Sequence, residues 1–228
     1  MTFPDLPVRL ASVRESIAAA QARSGQNQPV TIVAVTKTFG PEAVSAAVGA
    51  GLGAVGENRV QEALEKQDAL PGLAVDWHLI GTLQKNKARH AAGRFAMIHS
   101  VDRLELAAEL DRRTPEGARQ RVLVQVNCSL EAQKGGVEPG GLLALLDAMR
   151  PCGRLEVRGL MTMAELTADP ARQRAAFARL RGLRDDAAME GHRLPELSMG
   201  MSADFAVAVE EGATMVRLGT ILFGGRQP

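Results

Sequence analysis

Tyrosine is absent from this chain, and aromatic residues of any kind are scarce: one tryptophan and six phenylalanines among 228 residues. Net charge is nearly absent too. Lys and Arg number 27 against 26 Asp and Glu, a balance of +1, so no general attraction to nucleic acid or an anionic membrane follows. Lys85, Lys87 and Arg89 make a small basic helix face, but without interleaved aromatics it reads as solvated surface, not an RNA site. Only two cysteines occur, Cys128 and Cys152, which excludes a disulfide framework and points to a reducing cytoplasm. No apolar run approaches the ~20 residues of a membrane span. The start, Met1 to Pro7, lacks the basic and apolar regions of a signal peptide. There is no H-E-x-x-H and no cysteine cluster, so no metal site is expected.

What is present is a strand-and-helix rhythm. Leu10, Val13, Ile17 and Ala20 give Leu6–Ala22 an amphipathic helix. Strands are then expected at 30–35, 52–55, 75–80, 95–99, 121–126, 155–160, 196–199 and 214–218. Helices are expected between them at 41–50, 57–67, 84–92, 102–113, 141–150, 170–189 and 202–211, with Asp102 as a cap. Eight such units after a leading helix predict a (β/α)8 TIM barrel, one domain over residues 1–228; a doubly wound open sheet is the alternative. Gly51-Leu52-Gly53-Ala54-Val55-Gly56 matches G-x-G-x-x-G. A helix precedes it and a strand runs through it, so it is rejected as a dinucleotide site.

Lys37 is the most informative residue. It follows the continuous apolar run Val30 to Val35, so an amine stands at the carboxyl end of a buried strand, the end that carries chemistry in barrels. A partly desolvated amine there suits Schiff-base formation. The other strand ends supply Glu57 and Asn58, His78, His99 and Ser100, Asn127, Met161 and Thr162, Ser202, and Arg217. In a barrel these gather at one mouth, although each has a plainer role as a cap, a brace or a core histidine. Gly200-Met201-Ser202-Ala203-Asp204 opens a helix, and Arg217-Leu218-Gly219-Thr220 closes the last strand; together they suggest a phosphate cradle after strands seven and eight. Asp204 is expected to point away from it.

The chain resembles the pyridoxal phosphate (PLP) homeostasis family, whose relatives by fold are the N-terminal barrel of alanine racemase and the fold-type III decarboxylases. The resemblance spans about Val30 to Arg226. It rests on Ala34-Val35-Thr36-Lys37, Gly56-Glu57-Asn58-Arg59-Val60-Gln61-Glu62, Trp77-His78-Leu79-Ile80-Gly81-Thr82-Leu83-Gln84-Lys85-Asn86-Lys87, and Ile98-His99-Ser100-Val101-Asp102. It continues through Arg158-Gly159-Leu160-Met161-Thr162-Met163, Leu197-Ser198-Met199-Gly200-Met201-Ser202-Ala203-Asp204 and Val216-Arg217-Leu218-Gly219-Thr220. The resemblance implies PLP held as a Schiff base on Lys37. It places Ser202, Gly219 and Thr220 at the phosphate, Arg217 opposite the pyridine nitrogen, and Asn58 and His78 around the cofactor. Arg59 and Leu79 depart from the family's usual aromatics, at what is expected to be the outer wall of the pocket.

An arginine opposite that nitrogen weakens PLP as an electron sink. The racemases of this fold use a tyrosine and an additional β domain, and this chain has no tyrosine. His78 or Cys128 would have to substitute. The resemblance therefore implies a non-catalytic PLP carrier in vitamin B6 homeostasis, cytoplasmic and monomeric, with PLP-dependent apoenzymes as acceptors and no nucleic-acid partner. An amino-acid racemase is the alternative reading.

Overall fold

In the computed structural model, residues 2–129, 131 and 134–225 are described, so Arg226, the end of the resemblance, lies outside them. A leading helix α1 (Leu6–Ser24) precedes β1 (Thr31–Val35), α2 (Pro41–Gly49), β2 (Ala54–Glu57), α3 (Val60–Ala69) and β3 (Asp76–Leu79). Then come α4 (Ala88–Ala91), β4 (Met97–Val101), α5 (Leu104–Arg113), β5 (Gln120–Gln125), α6 (Leu142–Met149) and β6 (Leu155–Met161). The last elements are α7 (Pro170–Met189), β7 (Glu196–Ser198), α8 (Phe205–Glu210), β8 (Met215–Leu218) and α9 (Thr220–Phe223). The strands pair in parallel, in sequence order, and β8 returns to β1, closing the barrel.

Strand alternation sorts the side chains into two cores. Ile32, Ala34, Val55, Leu79, Ile98, Val124 and Val216 pack outward into one large cluster with the helices. Met97, Leu123, Met161 and Met215 fill the lumen. Alpha1 adds Leu6, Leu10, Val13, Ile17 and Ala20 to the outer core, against α8 and α9. Its apolar residues recur three and four apart, so one stripe is buried and the rest stays wet.

Several boundaries differ from the sequence expectation, each for a local reason. The helix expected over 84–92 breaks into a 3-10 turn, Lys85–Lys87, and the single turn α4, ended by Gly93 at φ +74°. Asp102 does not cap α5: its carboxylate binds the Arg103 guanidinium at 2.5 Å. Glu57 ends β2 and does not start α3; its side chain is drawn into a buried ion pair. Alpha9 was not anticipated at all, because four residues after a Gly-Thr turn carry no periodicity.

Candidate functional site

Lys37 follows β1 by two residues. The alternation that buries Ala34 outward also sends Thr36 outward, where its hydroxyl donates to Glu57 Oε1 at 2.5 Å. Lys37 is left half-buried on the mouth side, with no hydrogen-bond or ion-pair partner among the described residues. The next residue, Thr38, has φ +71°, a left-handed conformation rare for a β-branched side chain. Such strain costs on the order of 1–3 kcal/mol and persists only where neighbours enforce it.

The neighbours are a buried charge cluster behind the turn. Lys66 of α3 is 4% exposed and spends all three ammonium protons: on Thr36 O at 2.9 Å, Glu57 Oε1 at 2.7 Å and Glu62 Oε1 at 2.9 Å. Glu62 Oε1 in turn accepts the Thr38 N–H at 2.6 Å. Burial pushes the Glu57 carboxyl up in spite of its bonds from Lys66 and Thr36. At Glu62 burial pushes the same way, but the bonds from Lys66 and the Thr38 amide outweigh it and hold that carboxyl down. On the far side of the turn, Phe39 meets Phe3 and Phe223 with ring centroids 5.4 and 5.5 Å apart.

The second feature lies beside this turn. Val35 packs on Gly219, where an added Cβ would stand 3.5 Å from the Val35 Cβ. The Ser202 hydroxyl accepts the Gly219 N–H at 3.3 Å and the Ile221 N–H at 3.4 Å. Ser202 is thus not a cap of its own helix, which starts three residues later at Phe205. The amides that converge on it belong to the β8 turn, the second of the two segments expected to form the cradle. Asp204 is buried and turned back on its own loop, its Oδ1 accepting the Met201 N–H at 2.5 Å. Gly200, at φ +90°, makes this bend possible: a Cβ there would stand 2.6 Å from the Ala208 Cβ.

Arg217 points into the lumen and is 4% exposed. It donates to Ser198 Oγ at 2.7 Å and to the Thr162 carbonyl at 2.9 Å, and no ion pair with a carboxylate forms among the described residues. Burial pulls its pKa down to about 10, so it stays charged at neutral pH. A chain of contacts continues from it: Ser198 Oγ lies 3.0 Å from His99 Nδ1, and His99 Nε2 lies 2.8 Å from His78 Nδ1. Burial pulls His78 down to about 4 and His99 well below its ordinary value, so both rings are neutral.

The structure therefore brings Lys37, Ser202, Gly219 and Thr220 to the carboxyl-terminal mouth, with Arg217 beneath them in the lumen. Asn58, half-buried, follows β2 at the same end, and its main chain packs against Gly81, where a Cβ would stand 2.3 Å from Asn58 O. His78 sits deeper. It lines a cavity of about 740 Å³ at the opposite, amino-terminal mouth, together with Asp76, Met97, Arg121 and Met215. Leu79 lies in the outer core at 1% exposure, so its departure from the family does not touch a pocket wall; Arg59 is exposed. Asn127 braces its loop through Glu131 O at 3.0 Å, and Ser100 holds Gly81 O at 2.7 Å. Sequence reading missed Lys66 and Glu62, although their spacing of four on a helix was a visible signal. It also missed Ser198 and the Ile221 amide, which only the closed barrel brings into place.

The chain matches the family described as alanine racemase, N-terminal domain, over residues 8–227. It is 48% identical over 217 residues to the pyridoxal phosphate homeostasis protein of Pseudomonas aeruginosa, covering 95% of this chain and 92% of that one. The pyridoxal phosphate homeostasis protein of Aquifex aeolicus is 44% identical over 222 residues, 96% and 97% of the two chains. PipY of Synechococcus elongatus PCC7942, solved with PLP bound, superposes with a TM-score of 0.84 at 40% identity, covering 96% of this chain and 100% of PipY. Alanine racemase from Corynebacterium glutamicum shares the fold alone: TM-score 0.73, 18% identity, 95% of this chain and 62% of the racemase. With its racemase-like barrel and full-length relatives, this chain belongs to the pyridoxal phosphate homeostasis protein family.

Proposed function

We propose that this protein binds PLP and carries it without turning over amino acids, as part of vitamin B6 homeostasis. The observation that carries the proposal is one mouth holding a lysine amine that has no partner among the described residues and, on the adjoining β8 turn, a hydroxyl on which two main-chain amides converge. An amine and an anion cradle side by side suit a ligand with an aldehyde at one end and a phosphate at the other. Lys37 would hold the aldehyde as a Schiff base, with loss of water, and Ser202 with the amides of Gly219, Thr220 and Ile221 would hold the phosphate. Asn58 would border the ligand, and Arg217, fixed by Ser198 and Thr162, would face its ring nitrogen. His78 serves this site from below through His99 and Ser198. When bound, PLP can supply an electron sink, and an arginine at that nitrogen weakens it because guanidinium does not give up its proton.

The absence of turnover is supported by the state of the groups that could serve beside the lysine. A racemase needs a second acid or base opposite it. His78 is neutral, committed to His99 and deep in the lumen. Cys128 is fully buried, and burial pushes its thiol up to about 11, so it holds its proton. Tyrosine is missing altogether. The proposal extends to a cytoplasmic monomer that hands PLP to apoenzymes. Both cysteines are free. No described helix is long and apolar enough to cross a membrane.

The deciding experiment is the absorption spectrum of the purified protein with PLP, followed by a racemisation assay. A yellow Schiff base without interconversion of D- and L-amino acids is expected. Rates near ordinary enzymes, roughly 1–10³ per second, would overturn the carrier and favour a racemase.

A further inference from the structure

Behind Lys37 the turn is held from both flanks by one buried side chain. Lys66 grips the residue before Lys37 directly, through the Thr36 carbonyl at 2.9 Å. It grips the residue after through Glu62, whose Oε1 takes both the Lys66 ammonium at 2.9 Å and the Thr38 amide at 2.6 Å. Glu57 closes the set, binding Lys66 at 2.7 Å and the Thr36 hydroxyl at 2.5 Å. Glu62 and Lys66 also pair one turn apart within α3, but their bonds to the main chain run to the Lys37 turn. The cluster's effect is to keep Thr38 at φ +71°, which an unrestrained β-branched residue would leave. With both neighbours fixed, the Lys37 backbone has a single direction from which its amine enters the mouth.

We propose that Lys66, Glu57 and Glu62 are positioning residues for Lys37: they clamp Thr36 and Thr38 so that the amine is pre-aimed at the ligand aldehyde. This rests on Lys37 being the PLP lysine, as proposed above. The gain is in the rate of condensation more than in affinity, since orientation is what a fixed backbone supplies.

Two variants test it without emptying the core. Thr38→Gly removes the strain and should raise thermal stability, yet it frees the turn. Glu62→Ala removes the acceptor of the Thr38 amide from a side chain that is 25% exposed. Stopped-flow absorbance should show Schiff-base formation slowed about tenfold or more in both, because a misplacement near 1 Å costs on the order of a hundredfold. Binding of pyridoxine 5'-phosphate, which has no aldehyde, should stay within about twofold of wild type. Amide exchange at Thr38 in the ligand-free protein should quicken in Glu62→Ala. Thr38→Asn, which tolerates the left-handed region, should restore the wild-type rate. Wild-type rates in Thr38→Gly and Glu62→Ala would overturn the clamp. A wild-type protein that forms no Schiff base at all, or forms it on another lysine, would instead overturn the assignment of Lys37.

Discussion

Ser202→Ala separates an anion cradle from a helix cap, because the two roles predict opposite patterns of loss. In the ligand-free protein the hydroxyl accepts two amides at 3.3 and 3.4 Å, beyond the usual range for such bonds. Their loss should therefore cost less than about 1 kcal/mol, and move Tm by less than about 4 °C in a chain of this size. With PLP bound, the hydroxyl donates to a dianionic phosphate, and a charge-assisted bond is worth about 1.5–3 kcal/mol. PLP affinity should fall by about tenfold to about 150-fold. It should not vanish, since the Gly219 and Ile221 amides remain. Pyridoxal lacks the phosphate and should bind both proteins alike. Equilibrium titration of the two ligands, with a melting curve of each ligand-free protein, measures everything needed. Equal losses for PLP and pyridoxal would refute the cradle and show that Ser202 acts through the fold.

Other outcomes follow from the same geometry. Borohydride reduction should fix the pyridoxyl phosphate group on Lys37, and Lys37→Ala should lose the Schiff-base absorption with an unchanged far-ultraviolet circular dichroism spectrum; peptide mapping checks both. Stability should fall as pH drops from about 6.5 toward 4. His78, held near 4 in the fold, takes up a proton only on unfolding in that window, which is worth up to about 3 kcal/mol. His78→Gln should flatten that slope in pH-dependent denaturation, and an unchanged slope would assign it to other groups. Cys128, with its thiol near 11 and fully buried, should resist alkylation at pH 8 while half-buried Cys152 reacts first, as mass spectrometry would show.

The barrel was legible because its strands are continuous apolar runs and its helices carry periodic stripes. Alpha7 (Pro170–Met189) even has the bounds its pattern predicts, opened by Asp169, whose side chain accepts the Ala171 amide. Lys37 was legible for a related reason: a charged residue directly after such a run stands at a strand end. Less legible was how side chains from distant units meet. Ser202 reads as a cradle residue or, more plainly, as a helix cap; the partners it has, the Gly219 and Ile221 amides 17 and 19 residues onward, show only once β7 and β8 lie side by side. His78 looked like a mouth residue because it stands near the end of β3. The stagger of the closed barrel sets it a layer lower, facing His99 and the amino-terminal cavity. Strand spacing alone does not reveal that stagger.

The interior polar groups bear on the proposed carrier role. Arg217 is a buried cation with no carboxylate partner among the described residues, surrounded by neutral acceptors, Ser198 and the Thr162 carbonyl. The buried Asp204 carboxyl acts on Arg217 only through space, since its own hydrogen bond goes to the Met201 amide. Burial holds the His78 and His99 rings neutral, and the Arg217 charge adds to that at His99. Above them, the Lys37 turn is fixed by Lys66 on one side and by the contact of Phe39 with Phe223 on the other. Phe223 ends α9, which starts at Thr220 in the proposed phosphate cradle. The amine and the cradle are thus tied together through packed rings. In the proposed carrier, Lys37 is the one group among the described residues at this mouth free to move a proton, while Arg217, Ser198, His99 and His78 are committed to one another. Two-base chemistry on an amino acid requires a second such group.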